Sequence, residues 1–262
     1  MSISTELTTL STNITNAYNA IQTKGGTIPT NKNTENLETA INSISSYENS
    51  LRDMISNRGS MTSVDFPSGI TSISDYAFKN CTSLALTSLP SSVTSIGGYA
   101  FENCTSLALT SLPSGVTSIG KSTFYNCTSL ALTSLPSSIT SIGSYAFSKC
   151  TNLALTSLPN GITSIDSSTF NNCTNLALTS LPSGVTSIIS YAFRNCTSLT
   201  SLRIGSNIQT IGSSAFDGCT NLTTIYINLP RATVEAMSGY SSKWGATNAT
   251  IICNDDAGWV EA

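Results

Sequence analysis

Apolar side chains recur along this chain with a period of 23 residues, from residue 58 to about residue 241. Counted from a recurring cysteine, Leu, Val, Ile or Phe falls at +3, +5, +8, +12, +15 and +20, with polar residues between them. One unit is too short to bury these side chains by itself, but stacked copies bury them together. The pattern therefore predicts a mainly β solenoid of about eight 23-residue turns.

Within each unit the pattern indicates two short extended segments joined by turns. Proline follows the +8 Leu and ends strand pairing there, because it has no N–H to donate. Glycine often follows the +15 Ile, as at Gly97, Gly120, Gly143 and Gly212, and we expect it to serve a turn. Asn commonly precedes the Cys, and we interpret it as a turn residue rather than a glycosylation site.

The unit resembles the BspA-type (treponema-type) leucine-rich repeat. The closing Ala-Phe pair of that repeat stands at Ala77-Phe78, and its strand stands at Leu202-Arg203-Ile204. The resemblance covers about 180 residues and implies a right-handed solenoid whose members act in surface adhesion to proteins, matrix or glycans. No catalytic residue, metal or other cofactor is implied.

Five units depart from that repeat, because they read L-A-L-T-S-L-P. They begin at Cys81, Cys104, Cys127, Cys150 and Cys173. Their leucines at +5 and +8 are an odd number of residues apart, so a flat strand cannot turn both inward. We therefore predict a bend or bulge at the Thr-Ser pair of these units.

The two ends differ from the repeats. Residues 1–57 contain two heptad-spaced apolar seams joined at Lys24-Gly25-Gly26, which predicts a helical hairpin. It is either a cap on the first turn or a module for attachment and homo-oligomerisation. Residues 58–241 are the repeats, and residues 242–262 form a C-terminal cap in which Trp244 and Trp259 cover the apolar edge. Asp255 and Asp256 are expected to be solvated.

Composition excludes several classes of function. The chain has no His, so a Ser-His-Asp triad and a His-containing zinc site are ruled out. Its 11 Lys and Arg are scattered, and its formal net charge is −3, so nucleic acid is a poor partner. No apolar run is long enough to insert into a membrane, and the N-terminus has no secretory signal pattern. We expect a protein that is not an enzyme.

Seven cysteines at 23-residue intervals form what we call the cysteine ladder. We expect buried, reduced thiols that fill a column of the core, rather than disulfides or a metal site, since no CxxC pair is present. Its members are Cys81, Cys104, Cys127, Cys150, Cys173, Cys196 and Cys219.

Two columns are candidate contact surfaces. The position two before Phe alternates between Tyr and Ser from residue 99 onward, a 46-residue super-repeat, and Tyr offers contact area at low entropic cost. Its tyrosines are Tyr76, Tyr99, Tyr145 and Tyr191. The second column consists of threonines. It is either an uncharged solvated face of the sheet, a contact surface for neutral glycans or protein, or an ice-binding array. Its members are Thr87, Thr110, Thr133, Thr156 and Thr179.

The ends also resemble tail-associated proteins of gut-Firmicute bacteriophages and prophages. That resemblance favours a virion protein, associated with a tail fibre, which binds a host-surface protein or glycan through the solenoid. The alternatives are a bacterial cell-surface or extracellular adhesin and a purely structural spacer. The tail-fibre role would place the protein in a virion, and the adhesin role would place it at the cell surface or outside the cell.

Overall fold

The computed structural model describes residues 58–66 and 68–260. These residues form a parallel β-solenoid in which each 23-residue unit makes one turn and stacks on the next. The predicted fold class is confirmed for the repeats. The predicted helical hairpin, with its proposed role in oligomerisation, lies at residues 1–57 and so outside the described residues.

In the first seven units the second extended segment forms a two-residue strand that ends at the +15 Ile. The Ile side chain is buried in each strand, and the residue before it faces outward. Pairing is parallel with an offset of one unit, so that Ser72 aligns with Ser95. One sheet has the order β1-β2-β3-β4 and another the order β5-β6-β8. The strands are β1 (Ser72–Ile73), β2 (Ser95–Ile96), β3 (Ser118–Ile119), β4 (Ser141–Ile142), β5 (Ser164–Ile165), β6 (Ser187–Ile188) and β8 (Thr210–Ile211).

The first extended segment forms full strands only at the C-terminal end. These are β7 (Ser201–Ile204), β9 (Thr224–Ile227) and β10 (Thr250–Cys253), in the order β10-β9-β7. Alternate residues of β7 and β9 are buried, as a half-buried strand requires. The alternating sequence L-R-I of β7 meets that requirement, whereas L-T-S-L does not.

The predicted bend is present in four of the five departing units. The backbone bends at Thr87, Thr110, Thr133 and Thr156. In the Cys104 unit this bend lets Leu109 and Leu112 both enter the core, where their side chains are 0% and 7% exposed. The fifth unit has no bend at its Thr, and instead Ser180 forms an isolated parallel bridge with Arg203 of β7.

Phenylalanine forms the spine of the core. Six successive ring pairs from Phe78 to Phe216 stack nearly parallel, with centroids 5.3–5.7 Å apart. The rings from Phe101 onward are fully buried. Each ring thus rests on its counterpart one unit away, so the period of the sequence becomes the period of the packing.

The glycines after the +15 Ile have a different role from the predicted one. A Cβ built on Gly97 would lie 2.5 Å from the backbone N of Asp75, and one built on Gly212 would lie 2.5 Å from the N of Ser190. Neither glycine has a positive φ. Glycine is therefore favoured here because neighbouring turns approach closely, and not because a turn needs its conformational freedom.

The last turn is covered by a short helix α1 (Arg231–Glu235), a 3-10 segment (Tyr240–Gly245) and β10. Trp244 is fully buried, its Nε1–H donates to the Ser238 carbonyl at 2.8 Å, and its own carbonyl accepts the Phe216 N–H at 3.0 Å. Trp259 instead lies half-buried and makes a T-shaped contact with Tyr226 of the adjacent sheet. Trp244 thus lies against the end of the Phe column, and Trp259 lies beside β9.

Asp255 is exposed, as expected, and Asp256 is partly buried, but both carboxylates also bind Arg231. The Arg231 guanidinium forms a salt bridge with Asp256 and also donates to the Ile251 carbonyl at 3.0 Å. Asp255 Oδ1 accepts the Arg231 backbone N–H at 2.8 Å. The hydrogen bond from Arg231 lowers the pKa of Asp256. The pair joins α1 to the end of β10.

Candidate functional site

The segment that ends each unit, from the Tyr or Ser position to the Cys, stacks on the next turn through its backbone. In one such segment the N–H groups of Tyr76, Phe78 and Asn80 donate to carbonyls of the following turn at 2.7–3.0 Å. The first and last of these residues have left-handed backbones, with φ of 60° and 64°. The left-handed residues thus take part in the backbone hydrogen bonds that join one turn to the next.

Asn suits the second left-handed position because its short polar side chain tolerates that geometry. The side chains also link the turns, since Asn103 Nδ2 donates to Asn80 Oδ1 at 2.8 Å and Asn126 Nδ2 donates to Asn103 Oδ1 at 3.0 Å. Lys149 interrupts this amide ladder. The prediction that this Asn is a turn residue is confirmed.

The first left-handed position carries the super-repeat of Tyr and Ser. Tyr76, Tyr145 and Tyr191 are 50%, 38% and 42% exposed, whereas Ser122 and Ser168 are only 6% and 3% exposed. All of these residues share φ values between 53° and 62°. The same backbone therefore accepts either side chain, and only Tyr projects into solvent. We call the predicted set Tyr76, Tyr99, Tyr145 and Tyr191 the tyrosine ridge.

Cations accompany the tyrosine ridge. Tyr76 and Tyr99 stack with centroids 4.8 Å apart, and Lys79 Nζ lies 5.6 Å and 5.5 Å from their centroids. Lys121 Nζ lies 5.9 Å from the Tyr99 centroid, and the Arg194 guanidinium lies 5.6 Å from that of Tyr191. The sequence analysis missed these cations. The signal was available, because each cation lies within a few residues of the tyrosine position of its own unit.

The predicted threonine column is exposed on the four bent segments and on the corresponding unbent segment of the Cys173 unit. We call it the hydroxyl face (Thr87, Thr110, Thr133, Thr156 and Thr179). Other threonines are satisfied internally. For example, Thr105 Oγ1 donates to the Thr82 carbonyl at 3.1 Å, and Thr94 Oγ1 donates to the Thr71 carbonyl at 3.2 Å. Within the described residues, the hydroxyls of the hydroxyl face make no such hydrogen bond, so they remain available to water or to a partner.

The cysteine ladder is buried throughout, and its thiols are free. Six thiols donate to the carbonyl of the phenylalanine 26 residues earlier, as Cys150 Sγ does to the Phe124 carbonyl at 2.9 Å. Burial raises the pKa of Cys127 and Cys173 well above the ordinary value, and raises that of Cys219 to about 12. A thiol held neutral is a poor nucleophile and a poor metal ligand, so this column fills the core.

Among residues 58–66 and 68–260, no three Cys, Asp or Glu side chains lie together in a way that could hold a metal ion. In the same part of the chain, no helix has the length and apolar character needed to cross a membrane. The tyrosine ridge and the hydroxyl face are two columns of side chains on the surface of the described turns.

The sequence matches the family described as BspA type leucine rich repeat region, in six copies over residues 49–177 and 140–241. No curated protein matches the chain.

Two solved structures are similar. A leucine rich cell surface protein from Faecalibacterium prausnitzii is 35% identical, with a TM-score of 0.55 over 63% of this chain. The match spans 45% of that protein, less than half of its length. The leucine rich repeat protein of T. pallidum is 30% identical, with a TM-score of 0.53, over 73% of this chain and 86% of that one.

Proposed function

We propose, since this chain belongs to the BspA type leucine-rich repeat family, that it is a non-enzymatic recognition protein acting at a cell surface. The surface location follows the description of the Faecalibacterium relative as a cell surface protein. The partner is a surface protein or a glycan, held through many weak contacts along the turns rather than in one deep site.

The observation that carries this proposal is the exchange of Tyr for Ser at one backbone position. Ser122 and Ser168 have the same left-handed φ as Tyr99 and Tyr145, so the fold does not require an aromatic ring there. A bulky residue in this region of φ is uncommon and costs free energy, and such strain is concentrated at functional positions. Tyr at an exposed left-handed position is therefore explained by contact with a partner.

The hydroxyl face is a second candidate contact surface, supported by its exposed hydroxyls without internal hydrogen bonds. It suits a neutral glycan because hydroxyls both donate and accept. The tyrosine ridge ranks first because aromatic side chains dominate the energetics of interfaces.

A virion protein of a phage or prophage remains the second candidate function. It rests on the resemblance of the two ends of the sequence to tail-associated proteins. That location and the cell-surface location share the same contact surfaces, so the binding experiment below applies to both.

The test replaces Tyr76, Tyr99, Tyr145 and Tyr191 by Ser, the residue that alternate turns already use. Binding of the labelled protein is measured on an array of glycans and extracellular proteins. We expect the wild type to bind and the fourfold variant to lose binding while its circular dichroism stays unchanged. The matched control is Tyr125→Ser, which removes a tyrosine outside the tyrosine ridge. Unchanged binding by the fourfold variant would refute the role of the tyrosine ridge.

A further inference from the structure

A groove of about 320 Å³ lies beside β7. Ser180 and Ser183 of the Cys173 unit line it, together with Arg203, Asn228 and Trp259. Its volume is at the small end of the range of ligand pockets, suited to a single sugar or similar unit. None of these five residues was a candidate in the sequence analysis.

Arg203 takes the position at which each of the five preceding turns has a serine. The guanidinium lies over the Tyr226 ring, 4.4 Å from its centroid, and its Nη1 donates to the Val260 carbonyl at 2.7 Å. These two contacts hold it in place before any ligand arrives, which lowers the entropic cost of binding. The remaining N–H donors of Arg203 bond to no described residue.

The charge of Arg203 is not neutralised in the same way as that of other arginines. Arg194 pairs with Asp217, and Arg231 pairs with Asp256. Among the described residues, Arg203 forms no salt bridge, and the residues that line the groove include no carboxylate. A groove with one cation therefore stands on a protein whose formal net charge is −3, and an anionic group is the complementary ligand.

The other lining residues suit a sugar ring. Trp259 is half-buried and makes a T-shaped contact with Tyr226, and an indole offers an apolar surface to a pyranose. Asn228 Oδ1 accepts from Asn254 at 3.1 Å, which leaves the Asn228 amide N–H groups for a ligand. Ser180 and Ser183, which line the same groove, are exposed.

We propose that this groove binds a pyranose that carries a carboxylate, such as a uronic acid residue. Arg203 binds the carboxylate through paired N–H donors, Trp259 packs on the ring, and Asn228 and the two serines contact the ring hydroxyls. The site is separate from the tyrosine ridge, so either one can fail experimentally without the other.

The test uses the full chain and the fluorescence of Trp259, since the other tryptophan, Trp244, is fully buried. Methyl β-D-glucuronide is compared with methyl β-D-glucoside, which has a hydroxymethyl group in place of the carboxylate, and with acetate, which lacks the ring. We expect the glucuronide to bind at least about tenfold more tightly than either. About 0.5 M NaCl should weaken its binding.

Two variants assign the effect. Arg203→Gln should remove the preference for glucuronide over glucoside, and Lys149→Asn, which removes a cation elsewhere and restores the amide ladder, should keep it. The proposal would be overturned if the glucuronide bound no more tightly than the glucoside or than acetate, or if none of the three changed the fluorescence. It would also be overturned if the preference for glucuronide survived Arg203→Gln. If Arg203→Gln does not fold, the ligand and salt comparisons on the wild type decide.

Discussion

The central turns and the C-terminal turns share one period but differ in the first extended segment. Both regions stack a Phe and a Cys in every unit, with neighbouring Phe rings 5.3–5.7 Å apart. In the central turns the sequence L-T-S-L bends the backbone at Thr110 and its equivalents, whereas L-R-I in β7 alternates and forms a strand. The core therefore fixes the stacking, while one segment of the turn is free to vary.

The variable first segment determines which side chains each region exposes. The bend presents the hydroxyl face in the central turns, and the regular strands present Arg203 and Tyr226 at the C-terminal end. The tyrosine ridge follows the same logic, because Tyr and Ser alternate on one conserved backbone shape. The exposed side chains of a solenoid can change without a change in its core.

Removing a ring from the Phe column should have the largest effect, and a similar one in both regions. Phe147→Ala in the central turns and Phe216→Ala near the end should each cost about 3–5 kcal/mol of unfolding free energy, because each leaves a cavity between stacked rings. Urea denaturation followed by circular dichroism measures this. A cost near zero for either variant would mean that its ring does not belong to the shared core.

Alkaline pH should affect the central turns first. Burial, followed by the neighbouring thiols Cys150 and Cys104, raises the pKa of Cys127 well above its ordinary 9.0. The unfolded chain therefore ionises first, so this stability is complete below pH 9.0 and is lost as the pH rises above it. Each buried thiol should remove about 1.4 kcal/mol per pH unit above that point. Measuring the unfolding free energy at a series of pH values above 9.0 tests this dependence on pH.

The control for the thiol prediction is Cys127→Ser. It should be less stable than the wild type at neutral pH and should show a shallower loss at alkaline pH, since one ionising thiol is gone. A reducing agent should leave the melting temperature of the wild type unchanged. A large loss of stability in reductant would instead reveal disulfides in the cysteine ladder.

Acid pH should affect the C-terminal end first. The hydrogen bond from Arg231, then that from the Cys253 N–H, lowers the pKa of Asp256 below its ordinary 3.8. This contribution is present above pH 3.8 and is lost as the pH falls through the lowered pKa. We expect the emission of the buried Trp244 to report opening of this end before the central turns lose their circular dichroism. Arg231→Gln should remove the difference between the pH at which the Trp244 emission changes and the pH at which circular dichroism is lost. If the wild type lost both signals at the same pH, the prediction would be contradicted.

The smallest effect is expected for Tyr145→Ser, within about 0.5 kcal/mol of the wild type. Ser already holds the same backbone at Ser122 and Ser168. Tyr99→Ser should cost more, about 0.5–1.5 kcal/mol, because it breaks the stack with Tyr76. Thermal denaturation of the two variants side by side measures the difference. A large loss for Tyr145→Ser would make that tyrosine a structural residue.

Much of the fold was predictable because the contacts that form it join residues one period apart. The 23-residue interval places Phe on Phe and Asn on Asn, and the odd step between Leu109 and Leu112 is enough to predict a bend. The exposure of the tyrosine ridge did not follow from the period, since a packed column would have the same spacing. It depends on the left-handed backbone at Tyr145 and its equivalents, which the pattern of apolar residues does not report.

The contacts at the C-terminal end were not predictable, because they join segments outside the repeat. Arg231 reaches Asp256 across 25 residues of irregular sequence, and Arg203 is held by the Val260 carbonyl 57 residues away. The groove depends on both the C-terminal tail and the Cys173 unit. No periodic signal marks such a site.

The measurement that tests the central claim most directly is hydrogen–deuterium exchange of the wild-type chain, with and without its strongest binder from the array. We predict new protection in the segments that carry Tyr76, Tyr99, Tyr145 and Tyr191, with little change in the intervening bent segments. Protection confined to the hydroxyl face, or absent from all of the tyrosine segments, would contradict the account of the tyrosine ridge as the recognition surface.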